Sequence, residues 1–197
     1  MGLNAVGNAF RGAVRDNLRV QLARLVAASE STAATRKRLE KTAALAGALR
    51  EVDASEIAAA VGFLCGEPRQ GRIGVGWATV GALDAQPAER ASLSLTDVDV
   101  ALTSLSEMAG GGVEQRRVEL LSTLLSRATE AEQRFLRRLL VGELRQGALE
   151  GLVAAAVAEA SGVSNESLRR ALMLTGDLGA AAEIAATSGR RAYSRSS

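Results

Sequence analysis

The sequence predicts an all-α protein, on three observations. Hydrophobic residues fill 47% of the 197 positions, yet only five residues are aromatic, so the core must be built from Ala, Leu and Val, a composition that favours helix. Two prolines, Pro68 and Pro87, leave long stretches without a breaker. Alternation of β-branched residues at period two is hard to find, whereas apolar residues recur at spacings of three and four.

The elements follow in order. Phe10, Val14, Leu18, Leu22 and Leu25 fall on one face with Arg11, Arg15 and Arg19 beside it, predicting a first amphipathic helix. A second is expected from about Thr32 to Arg50, with Leu39, Ala43, Ala46 and Leu49 inward. A third opens at Asp53 with Glu56 in the capping-box position, and turns Ile57, Ala60, Val61 and Leu64 inward. Gly66 stands where a helix C-terminus takes a left-handed residue. After a short helical turn in RIGVGWA, the segment DAQPAERASLS, Asp84 to Ser94, reads as a linker between two halves.

The second half opens with a helix carrying Val98, Leu102 and Leu105, breaks at Gly110 to Gly112, and resumes with Leu120, Leu121, Leu124, Leu125 and Ala128 on one face. Thr129 and Glu132 form a capping box for a helix that ends at Gly142. Leu149, Leu152, Val153, Ala156, Val157 and Ala160 trace a further helix. Ser164 caps one that ends near Gly176, and Asp177 caps the last.

Composition narrows the function classes. One cysteine, Cys65, allows no intrachain disulfide, and the absence of histidine leaves little for a zinc site. Together with the lack of a paired-carboxylate motif, this argues against an enzyme built on a nucleophile and base in this chain. The longest apolar run, Gly151 to Ala158, is far short of the roughly 20 residues a membrane span needs. A chain without membrane contact, in the cytoplasm, is expected. The net charge of +2 is unevenly spread: +5 over residues 1–41, −6 over 42–115 and +3 over 116–197. Arg supplies 22 of the 24 positive charges, and a guanidinium grips phosphate with two parallel donors.

One hexapeptide is written almost twice: GEPRQG at Gly66 to Gly71 and GELRQG at Gly142 to Gly147, 76 residues apart. Each follows an amphipathic helix and precedes another helical segment, which predicts an internal duplication about an approximate two-fold axis. The simplest reading of the motif is a helix-to-helix turn. The functional reading is a phosphate-binding corner, with closely spaced glycines, a following helix N-terminus and an arginine, Arg69 or Arg145. Two such corners suit a duplex, whose backbones are themselves related by local two-folds.

FLCGEPRQGRIGVGWA, FLRRLLVGELRQGALEGLVAAAVAEASGV and RRALMLTGDLGAAAEIA together resemble the N-terminal DNA-binding domain of ATP-dependent DNA ligases, in particular the actinobacterial branch. TAATRKRLEKTAALAGALRE fits the start of that domain. The resemblance covers about residues 20–187, with halves at about 20–83 and 95–187 joined by the linker 84–94; residues 1–19 form an N-terminal helical extension and 188–197 a flexible tail. It implies an all-helical domain of two pseudo-two-fold related helix–loop–helix units, binding the phosphate backbone of nicked duplex DNA without sequence preference in replication, repair or recombination. By match, Arg69, Gln70, Arg72, Arg145 and Gln146 are the phosphate contacts, and Gly71, Gly74, Gly76 and Gly147 permit close backbone approach. Glu67 and Glu143 are expected to hold the loops by hydrogen bonds.

The family's chemistry starts at a lysine in a Lys-x-Asp-Gly motif. The two lysines here, Lys37 and Lys41, precede Arg-Leu-Glu and Thr-Ala-Ala, so neither fits, and the catalytic core is expected to be absent from this chain. No cofactor is expected on this chain, and ATP and Mg only with a separate catalytic core as partner. The alternative is a free-standing helical DNA-binding or adaptor protein no longer engaged in ligation.

Overall fold

In the computed structural model the described residues are 22–71, 73–144 and 147–193, with backbone only at 147–148 and 189–193. The Arg11, Arg15 and Arg19 stripe, with the rest of residues 1–21, and the loop residues Arg72, Arg145 and Gln146 lie outside them. Their regular structure is helical, as expected for an all-α chain: α1 (Leu22–Ala34), α2 (Arg38–Arg50), α3 (Ile57–Cys65), α4 (Trp77–Gly81), α5 (Leu95–Glu107), α6 (Val113–Ser126), α7 (Glu130–Leu140), α8 (Gly147–Ser161), α9 (Asn165–Thr175) and α10 (Leu178–Tyr193).

Local chemistry sets several boundaries where the sequence places them. Thr129 accepts from the Glu132 N–H while Glu132 Oε2 accepts from the Thr129 N–H at 2.8 Å, a complete capping box. Ser164 accepts from the Ser167 N–H, and Asp177 Oδ1 from the Ala180 N–H at 2.7 Å. Ser94 and Asp97 form a second complete capping box, at the start of α5.

Two expectations change. The helix expected from Thr32 to Arg50 is interrupted at 35–37, where the Thr35 hydroxyl accepts from the Lys37 N–H at 3.2 Å and competes with the helical ladder. α2 then buries Thr42, Leu45, Ala46, Ala48 and Leu49, whereas Leu39 is 84% exposed and Ala43 faces solvent. Glu56 makes no capping bond to α3; its carboxylate accepts from the Thr96 hydroxyl on α5 instead.

The element order repeats along the chain. α6 and α7 begin 75 and 73 residues after α2 and α3 (Arg38 to Val113, Ile57 to Glu130), and α3 and α7 each end in a Gly-Glu corner. Early and late helices nevertheless share one hydrophobic core, because α8 packs on α2 and α3, and α10 on α3 and α8. Residues 84–94 are irregular but pinned. Ala88 donates to the Ala128 carbonyl at 2.9 Å, Gln133 Nε2 to the Ala85 carbonyl at 3.0 Å, and the buried Leu93 accepts from the Leu22 N–H at 2.8 Å. No helix among the described residues is long and apolar enough to cross a membrane.

Cys65 ends α3 inside this core. Burial, reinforced by the carboxylates of Glu150, Glu67 and Asp177, pushes its thiol up to about 12. A folded pKa above the unfolded one favours the neutral thiol, so this contribution is complete below about pH 8.5 and is lost as pH rises toward 12. At pH 8 the folded protein should react with an aromatic disulfide reagent only as fast as it opens. Absorbance kinetics in rising urea check this, and immediate stoichiometric reaction in buffer would contradict it.

Candidate nucleic-acid interface

The two Gly-Glu corners are the same local structure. Gly66 (φ 72°) and Gly142 (φ 76°) are left-handed, a conformation that costs other L-residues about 1–2 kcal/mol. Gly66 donates to the Phe63 carbonyl at 3.2 Å and Glu67 to Gly62 at 2.8 Å; Gly142 donates to Leu139 at 3.2 Å and Glu143 to Arg138 at 2.9 Å. Both are Schellman caps with identical offsets. The next residue is buried in each, Pro68 in one and Leu144 in the other, while Glu67 and Glu143 are exposed. Gly-Glu-x is therefore a capped, anchored turn in both, and in the first it is followed by the exposed Arg69 and the half-buried Gln70.

The first corner is the tighter. A Cβ on Gly62 would stand 2.7 Å from the Glu67 carbonyl oxygen, so the chain folds back across a helix position that only glycine leaves open. Gly62→Ala is expected to destabilise the protein by about 1–3 kcal/mol, read from urea melts, because backbone rather than a movable side chain fills the space.

Arg69 and Gln70 converge on one partner. Arg69 Nε donates to Asp99 Oδ1 at 2.7 Å and its Nη2 donates to Oδ2, a two-pronged pair in which the Arg69 side chain stays 61% exposed and that of Asp99 only 10%. Hydrogen bonding to Asp99 holds the guanidinium above its ordinary pKa. Gln70 Nε2 donates to Asp99 Oδ1 at 2.9 Å and to the Thr103 hydroxyl at 2.8 Å. The loop is thereby tied to α5, and Arg69 Nη1 is left outside the pair. Asp99 has no place among the sequence-based expectations, although the sequence carries a signal for it: Leu95, Val98, Asp99 and Leu102 share one apolar stripe, and a charge on such a stripe needs a buried partner.

Beyond Gln70 the loop takes left-handed turns at Gly71 (φ 68°) and Gly74 (φ 71°), anchored between them by the buried Ile73. Gly76 is extended at φ −89° and caps α4. Arg117 reaches the Gly74 carbonyl at 3.4 Å. Trp77 follows, 61% exposed. The two loops then differ: the first leads into a helix of five residues with little macrodipole, whereas the second is followed by α8, fifteen described residues long.

The sequence also carries adjacent arginines at 116–117, 137–138 and 169–170, and these divide by role. Arg137 donates to the carbonyls of Val80 and Leu83, and Arg116 to those of Gly111 and Ala109, so both brace turns. Arg170 pairs with Glu166 at 3.0 Å, while Arg138 and Arg169 are exposed. No cluster of three or more metal-ligating side chains occurs among the described residues.

Comparison with known proteins gives this geometry a context. The profile of a family described as DNA ligase N terminus matches residues 78–158. The chain is 51% identical over 170 residues to a probable DNA ligase of Saccharopolyspora erythraea, an alignment covering 86% of this chain and 33% of that one. It is 50% identical over 168 residues to a probable DNA ligase of Nocardia farcinica, covering 85% and 32%, and 47% identical over 178 residues to one of Anaeromyxobacter, covering 89% and 34%. The chain thus spans about a third of the length of the curated relatives it matches.

Proposed function

Because residues 78–158 belong to the DNA ligase N-terminal family, we infer that this chain binds duplex DNA through its phosphate backbone, without sequence preference, as the DNA-holding module of an ATP-dependent ligase acting on nicks. The observation that carries the reading is the recurrence of one capped corner, followed in sequence each time by Arg-Gln: Arg69 and Gln70 after the first, Arg145 and Gln146 after the second. Asp99 presets Arg69, and Nη1, unpaired among the described residues, is the donor offered to a phosphate oxygen. In the second corner the start of α8 adds the partial charge that anions favour. Arg72, Gly71, Gly74, Gly76 and Gly147 complete the two tracks by charge and by close backbone approach. The pseudo-two-fold relation of the two units is part of the same proposal.

Fluorescence anisotropy on three unrelated duplexes of equal length tests it. Equal affinities that fall steeply with salt are expected, since backbone contacts carry no base information. Strong preference for one sequence, or no binding at low salt, would overturn the reading.

ATP and Mg chemistry belongs in this proposal to a separate catalytic core. Lys37 is exposed and paired with Glu40 at 2.8 Å, and neither lysine stands in a Lys-x-Asp-Gly motif. Incubation with labelled ATP should therefore leave no covalent adenylate on the chain. A labelled band at 20.4 kDa in denaturing electrophoresis would contradict this.

A further inference from the structure

A groove of about 890 Å³ runs between α2 and α9. Its floor is the small-residue face of α8, where Ala154, Ala155 and Ala158 let a visiting backbone come close, while Arg38 reaches the Gly151 carbonyl at one end with a 3.4 Å contact. Its walls carry apolar side chains that no other described residue covers. Leu39 continues the α2 stripe of Thr42, Ala46 and Leu49, yet is 84% exposed. α9 buries only Leu168; Leu172 lines the groove, and the adjoining Met173 and Leu174 are 81% and 84% exposed. Leu39, as exposed as any large hydrophobic side chain among the described residues, thus stands on the lining of this trough opposite Leu172. Concentrated apolar surface of this kind marks a docking site.

Charge selects the occupant. Arg38 and Arg169 stand on the lining, and Arg169 makes no ion pair among the described residues. The one acid on the lining, Glu159, is already taken by Arg50 at 2.9 Å. Residues 1–21 would bring Arg11, Arg15 and Arg19 against this rim with only Asp16 to offset them. A second copy docked about a two-fold would set Arg38 and Arg169 against themselves. Duplex DNA meets the charge but not the apolar walls. We propose that the α2–α8–α9 groove docks an acidic amphipathic helix of a partner protein, with leucine-like side chains at i, i+3, i+4 and i+7 entering between Leu39 and Leu172, and carboxylates meeting Arg38 and Arg169. This does not depend on the DNA-binding reading.

The probe is a fluorescein-labelled helical peptide of about 18 residues, long enough to fill roughly 27 Å, with a leucine stripe and a glutamate polar face. Three controls accompany it: the same stripe with a lysine face, the glutamate face with serine for leucine, and unlabelled duplex as competitor. Saturable binding of the Leu/Glu peptide alone is expected, undiminished by duplex. Leu39→Ser should weaken it about 10- to 100-fold, the worth of one aliphatic anchor, and Arg169→Glu about tenfold. Both positions are exposed, so the variants should melt as wild type. Equal binding of the lysine-faced or serine peptide, displacement by duplex, no binding, or wild-type affinity in both folded variants would each overturn the proposal.

Discussion

Phe63→Ala is expected to remove about 3–5 kcal/mol of stability, a large share of the roughly 5–15 kcal/mol that holds a typical domain folded. Phe63 is fully buried in the middle of α3, the helix that packs against α10, α8 and α5 and whose end forms the first Gly-Glu corner. With so few aromatic residues, no neighbour of similar volume can fill the space. Urea unfolding by circular dichroism should show a large drop in midpoint with little change in slope. Leu39→Ser, the same kind of loss on an exposed residue, should stay within about 0.5 kcal/mol of wild type. Wild-type stability in Phe63→Ala would contradict the placement of the core.

The Arg69–Asp99 pair carries the second large effect. Asp99→Ala leaves Gln70 and Arg69 without their shared acceptor and should cost about 1.5–3 kcal/mol, the range for hydrogen bonds to a charged group. Arg69→Ala should cost a similar amount for a different reason, because a carboxylate with only 10% of its surface in water loses its counter-charge. Replacing both, Arg69→Ala with Asp99→Ala, should cost less than the two losses added, a coupling of about 1–3 kcal/mol. Strict additivity in a double-mutant cycle would show that the pair does not tie the loop to α5.

What could be read from the sequence is what short-range chemistry decides. The Thr129 capping box, the Ser164 and Asp177 caps, the left-handed Gly66 and Gly142, and the apolar stripe of Leu120, Leu121, Leu124 and Leu125 all rest on neighbours within one or two turns. Interactions across the fold were invisible. Glu56 has the spacing of a capping acid, yet it turns to Thr96, 40 residues on. Asp99 follows the capping acid Asp97 by two residues but serves Arg69 and Gln70 from about 30 residues away. Leu39 shows the limit of periodicity: it keeps the α2 repeat where no other helix among the described residues covers it. Of the candidate site, the repeat and its glycines were legible as a motif, but the anchoring of Arg69 was not, because nothing local distinguishes an arginine held by a carboxylate from one in water.

The central claim is that the repeated corners hold phosphates, and a salt titration of duplex binding tests it most directly. Wild type, Arg145→Ala and the double variant Arg69→Ala/Asp99→Asn should be compared on nicked and intact duplex, each first shown by its melting curve to be folded. The account predicts weaker binding in both variants, uniform across sequences. For Arg145→Ala, the slope of log affinity against log salt should fall by about 1, one phosphate contact being worth about 0.9. Folded variants with wild-type affinity and slope would contradict it, leaving the two corners as helix connections and placing any DNA contact elsewhere on the molecule.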